Sequence, residues 1–188
     1  IYALAATVDA KDRYTYGHSK KVSKYAMDIA EALGYSSEGI EGIRAAALLH
    51  DIGKIGITDQ LLTKREPLVP EEQELIRAHP NLGVAILKHV DSLKDCIAAV
   101  QYHHERYDGT GYPTGLKGNN IPLDARILAV ADSYDAMTSE RPYRPEKATK
   151  EQALEELKRC AGTQFDPVIV DAFVNLSTQD SNVAEKAI

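Results

Sequence analysis

Apolar residues in this chain recur at intervals of three and four, and nowhere do they alternate with polar ones over the length of a strand. A period of three to four lines one face of a helix, whereas a half-buried strand needs a period of two, so the pattern commits the chain to helices packed on helices. Val22, Tyr25, Ala26, Ile29, Ala30 and Leu33 make a first stripe, with Gly34 placed to cap it. A second runs from about Ser37 through Ile40, Ile43, Ala47 and Leu48 toward Gly53 and ends at the pair His50-Asp51. Pro70 followed by Glu71 and Glu72 suits a first helical turn, with Leu75, Ile76, Ile86 and Leu87 continuing that helix. Further helices are expected over 93–107 and 125–139, from Thr149 with Gln152 as capping-box partner, and from Asp166-Pro167 to Leu176. The predicted fold is a single all-α domain over residues 1–176, with six to eight helices, followed by a polar tail, 177–188, expected to fray.

The chain has 188 residues, 44% of them hydrophobic, which suffices for one buried core. Apolar runs such as 45–49 and 127–131 hold five residues, against the roughly 20 that a membrane span requires. The start at Ile1, without a basic stretch leading into an apolar one, points to a soluble, cytoplasmic piece of a longer protein. Cys96 and Cys160 form no CxxC pair and are expected to be buried as small apolar residues. A formal charge of -6 would repel nucleic acid or an anionic membrane, so any anionic ligand must be met by a local positive centre. Between Asp108 and Leu123 the helical pattern stops: Gly109, Gly111, Pro113, Gly115, Gly118, Asn119, Asn120 and Pro122 make a long loop of a kind that commonly carries function.

Two acids interrupt apolar helical runs. Asp51 follows 45–49 and Asp132 follows 127–131, and a buried carboxylate requires a partner. Either acid taken alone could cap a neighbouring backbone or pair with Lys54 or Arg126. Together with His18, His50, His79, His103 and His104 they supply five imidazoles and two carboxylates from five separate segments. That set exceeds the needs of one ion, and with no thiolate in it the donor chemistry suits iron, manganese, nickel or zinc in a two-ion site. His89 lies outside these doublets and is expected at the surface.

In order along the chain stand Asp12-Arg13-Tyr14-Thr15-Tyr16-Gly17-His18, His50-Asp51-Ile52-Gly53-Lys54-Ile55, His79-Pro80, His103-His104-Glu105-Arg106-Tyr107-Asp108-Gly109-Thr110-Gly111-Tyr112-Pro113, and Ala131-Asp132 running on to Arg141-Pro142-Tyr143-Arg144. With these motifs the chain resembles an HD-GYP domain, a branch of the HD phosphohydrolase superfamily, from about Asp12 to Leu176.

The resemblance implies a metal-dependent phosphodiesterase that hydrolyses cyclic di-GMP to pGpG and onward to GMP, as the output domain of a bacterial sensory or response-regulator protein. It implies His18, His50, Asp51, His79, His103, His104 and Asp132 as metal ligands with Asp51 bridging two ions, iron or manganese foremost, and Lys54 facing the attacking water and the scissile phosphate. Gly111, Tyr112 and Pro113 would then meet the substrate, Tyr112 with its ring or hydroxyl, and Arg141 and Arg144 would grip phosphates or guanine edges. The same loop equally suits a turn that docks a diguanylate cyclase or another signalling partner, and the two arginines equally suit a helix end. A homodimer and an upstream sensory or receiver domain fit this picture; a nucleic-acid partner does not. Two other readings stay open: a catalytically weak module that senses cyclic di-GMP, and a phosphohydrolase of another nucleotide. In some relatives of this kind a glutamate four residues before the first histidine adds a third ion; Tyr14 holds that position here, which implies two. Replacing Tyr14 by Glu is expected to raise the bound-metal count per chain, measured by elemental analysis of folded protein.

Overall fold

The computed structural model describes residues 1–11, 17–140 and 146–185, with side chains as far as Thr178. Local chemistry starts its helices. The Ser36 hydroxyl accepts from the Gly39 amide at 3.2 Å, Thr149 and Gln152 cap each other reciprocally, and the Glu72 carboxylate accepts from the Val69 amide just ahead of Pro70. The helices are α1 (Tyr2–Lys11), α2 (His18–Ala32), α3 (Ser37–Leu49), α4 (Asp59–Leu62), α5 (Pro70–Arg77), α6 (His79–Leu87), α7 (Ile97–Tyr102), α8 (Leu123–Thr138), α9 (Lys150–Arg159) and α10 (Pro167–Glu185). Three 3-10 turns, Ile52–Gly56, Asp91–Cys96 and Gly118–Asn120, lie between them. No strand occurs among the described residues, only an isolated bridge between Ala161 and Phe165.

The core is built around α2, which packs against α3 on one side and α8 on another, with α10 also against it; α7 joins α8 to α6. Val22, Ala26 and Ile29 from α2, Ile43 and Leu49 from α3, Val100 from α7, and Ile127, Val130 and Ala131 from α8 are withdrawn from solvent. Each fully buried branched side chain of this kind contributes about 1.5–3 kcal/mol. Edge-to-face contacts of Tyr134 with Tyr25 at 5.0 Å and with Phe173 at 4.8 Å tie α8 to α2 and α10.

Two expected helices differ in detail. The helix read over Pro70 to Leu87 breaks at Ala78, because Pro80 has no N–H to continue the ladder and instead occupies the first turn of a new helix, where none is needed. The helix read over 93–107 is a 3-10 turn followed by α7, which stops at Tyr102; the amides of Tyr107 and Asp108 bond the carbonyls of Gln164 and Thr163 rather than a helical ladder. Beyond Ser177 the backbone remains helical to Glu185. Cys96 is buried as expected, whereas Cys160 is only half enclosed; neither is bonded to another cysteine.

The turn that follows α3 lies directly on the start of α6. A Cβ at Gly53 would come within 1.8 Å of the His79 carbonyl oxygen and 2.6 Å of the Gly83 nitrogen. Gly53→Ala is therefore expected to destabilise the protein by about 3 kcal/mol, whereas Gly42→Ala, in α3 with nothing within 4 Å of the new methyl, should stabilise it by about 0.5–1 kcal/mol. Urea unfolding curves of the two variants measure both signs.

Candidate metal centre

Three histidines share one device. His50 follows the last turn of α3, His79 that of α5 and His103 that of α7, and each ring's Nδ1 lies 2.7–2.8 Å from the carbonyl oxygen three residues back, of Ala47, Ile76 and Val100 respectively. A carbonyl only accepts, so Nδ1 carries the proton and Nε2 is left with its lone pair. These lone pairs converge. Nε2 of His79 faces Nε2 of His103 at 3.4 Å, and the Asp51 carboxylate faces His79 Nε2 at 3.3 Å and His50 Nε2 at 3.5 Å. Acceptors placed against acceptors repel one another unless a cation lies among them, so this donor set fits a divalent metal ion.

Ligand atoms of Asp51, His79, His103 and His104 all lie within 4.8 Å of one another, as do those of His18, His50 and Asp51. Asp51 belongs to both groups. Burial and the neighbouring imidazoles hold His103 well below the usual histidine range and push His104 down to about 3; burial also lowers His79, partly offset by Asp51. The rings are thus neutral, as ligands must be. Burial would raise the Asp51 carboxyl, but the Lys54 ammonium at 2.7 Å holds it far below the usual carboxylate range.

His18 opens α2 behind Gly17, whose φ of +76° suits glycine. Its Nε2 lies 3.2 Å from Asp132 and its Nδ1 2.6 Å from Asp135. Burial works against the charged ring, yet these two carboxylates retain the proton and raise the pKa to about 9 in the metal-free protein. Tyr112 stacks on His104 with ring centroids 4.8 Å apart, and the guanidinium of Arg77 stands 5.4 Å over the Tyr112 ring. Gly111 packs against its own chain, since a Cβ there would meet the Arg106 nitrogen at 2.3 Å and the His104 oxygen at 2.6 Å. The structure thus gathers His18, His50, Asp51, Lys54, His79, His103, His104, Tyr112 and Asp132, with Gly111 packed beneath and Pro113 next in the loop. Arg126 pairs with Asp166 rather than with Asp132. Tyr14, Arg141 and Arg144 lie outside the described residues.

Three supporting residues were not singled out by the sequence reading. Asp135 orients His18, and its signal is its spacing of three from Asp132 on the same helix. Asp9 accepts from the Gly17 amide at 3.2 Å and the Ser19 hydroxyl at 2.7 Å, fixing the residues on either side of His18. Arg77 gave no signal beyond its place near the end of α5.

A family model described as HD domain matches residues 3–169. The chain belongs to the HD domain family. Its motif run from His103 to Pro113 is that of the HD-GYP type. It is 42% identical over 175 residues to a cyclic di-GMP phosphodiesterase of Thermotoga maritima, covering 92% of this chain and 47% of that protein. It is also 42% identical over 173 residues to the cyclic di-GMP phosphodiesterase response regulator RpfG of Xanthomonas campestris, covering 91% and 46%. Among solved structures, a cyclic GMP-AMP specific phosphodiesterase of V. cholerae superposes with a TM-score of 0.73 at 21% identity, over 94% of this chain and 48% of that one, which shows the shared fold. The chain spans about half the length of the curated relatives it matches.

Replacing Asp135 by Asn should weaken metal binding about 10- to 100-fold with helicity unchanged, read by manganese titration against a chelator. The elevated pKa of His18 stabilises the metal-free protein fully below pH 6.5 and progressively less as pH rises through about 9. Because a metal ion must displace that proton, the same titration should show tighter binding at pH 9 than at pH 6.5.

Proposed function

We propose that this domain is a metal-dependent phosphodiesterase acting on cyclic di-GMP and yielding pGpG and then GMP. One observation carries the reading: two ligand groups that share Asp51, so that two cations would stand on either side of one carboxylate. His50, Asp51 and His18 with Asp132 would hold one ion, and Asp51, His79, His103 and His104 the other; iron or manganese suits this imidazole and carboxylate set. Two such ions supply Lewis acidity, polarising a phosphodiester oxygen and lowering the pKa of a water for in-line attack.

The chain's own residues do the rest. Lys54, in the 3-10 turn beyond Asp51, holds a positive charge 2.7 Å from that carboxylate, where it would stabilise developing negative charge or protonate the departing 3′-oxygen. Tyr112 offers a ring to a base beside His104, and Arg77 adds a cation at that rim. Pro113, Gly111, Arg141 and Arg144 complete the proposed substrate contacts. The cytoplasmic setting, an upstream regulatory domain, a homodimer and a signalling partner at the loop belong to this proposal. No described helix is long and apolar enough to cross a membrane.

The test is a panel of cyclic di-GMP, 3′3′-cyclic GMP-AMP, cyclic di-AMP and linear nucleotides, assayed anaerobically with iron or manganese and resolved by product. Cyclic di-GMP turnover giving pGpG, lost by at least a thousandfold in Asp51→Ala, is the expected outcome. Tight binding of cyclic di-GMP without turnover in either metal would replace the enzyme with a sensing module, and preference for another member of the panel would reassign the substrate.

A further inference from the structure

Glu105 follows the two histidines and carries no role in the metal centre, yet it is one of the few fully enclosed acids of the chain, 3% exposed. Its Oε1 accepts three hydrogen bonds from the far side of the loop: the Thr114 amide at 2.7 Å, the Thr114 hydroxyl at 2.8 Å and the Gly115 amide at 3.0 Å. Its Oε2 is buried with no hydrogen-bond partner. A half-satisfied buried carboxylate is costly, and the three donors gathered on its other oxygen offset that cost.

The ring closed by these bonds contains Tyr112. Within it the Tyr112 amide bonds the His104 carbonyl at 3.2 Å, Gly111 lies on the backbone of residues 104–106, and Arg106 ties Thr110, Asp108 and Gln164 together. The chain therefore leaves the metal-facing His104, runs out through the loop and is pulled back onto the next residue. We infer that Glu105 is a positioning residue: its carboxylate closes the loop 105–115 so that Tyr112 is held over His104 as a fixed wall of the substrate site. This rests on the phosphodiesterase reading for the identity of the ligand.

The experiment compares wild type, Glu105→Ala, Glu105→Gln and Thr114→Val, all metal-loaded. Hydrogen exchange by NMR should find the Thr114 and Gly115 amides protected in wild type and in Glu105→Gln, whose amide oxygen still accepts, and at least 100-fold faster in Glu105→Ala. With cyclic di-GMP, Glu105→Ala should raise KM and the dissociation constant at least tenfold, leave kcat within threefold and leave the metal count unchanged; Glu105→Gln should restore KM. Thr114→Val, which deletes one donor without opening a cavity, should raise KM two- to fivefold, and it decides the matter if the alanine variant does not fold. Unaltered amide exchange or unaltered KM in Glu105→Ala, loss of metal with the substitution, or an unchanged KM in Thr114→Val beside an unfolded Glu105→Ala overturns the inference. If the wild type turns over no member of the nucleotide panel, the functional reading fails, while amide exchange still decides whether Glu105 holds the loop.

Discussion

Asp51 imposes the constraint that the rest of the molecule meets. A carboxylate enclosed among helices must be surrounded by positive or metal-ready groups, and these come from elements far apart in sequence: the end of α3, the junction of α5 and α6, the end of α7, the start of α2 and the turn that bears Lys54. Helix ends serve this purpose better than helix middles, because only an end brings a side chain and a free carbonyl together at one place. The core of α2, α3, α7 and α8 can be read as the frame that holds those ends within a few ångströms of one another. The contact of Gly53 with the His79 carbonyl shows how tightly that frame is drawn.

Much of this was legible in the chain. The period of the apolar residues gave α2, α3, α8 and α10, because each buries a full stripe over several turns, and the capping box of Thr149 with Gln152 gave α9. It failed at short elements. Nothing in residues 93–107 distinguishes a 3-10 turn plus a six-residue helix from one continuous helix, since both place apolar residues about three apart, and the break at Ala78 depended on weighing Pro80 over the stripe. The ligands stood out as ionisable residues beside apolar runs. Asp9, Asp135 and Glu105 did not, because what marks each is a partner that only the fold brings to it; those partners, Ser19, His18 and Thr114, lie 10, 117 and 9 residues away.

The acidity of the chain, a formal charge of -6, would be at odds with the anionic ligand proposed here if charge were spread evenly. It is not. Asp51 and Asp132 face inward among imidazoles, Asp135 lies behind His18, and Lys54 and Arg77 stand at the centre and its rim. With divalent ions in place the local field reverses while the surface stays negative, which disfavours long polyanions and admits a small one.

The rings of His50, His79 and His103 take their proton placement from peptide carbonyls, not from neighbouring side chains. A carbonyl three residues back exists in every helix whatever its sequence. The surrounding residues can therefore drift without altering which nitrogen is offered inward, and the tautomer is inherited with the backbone. His18, whose orientation depends on Asp135, lacks that insurance: it is the one of the four that a single substitution elsewhere in the chain can turn.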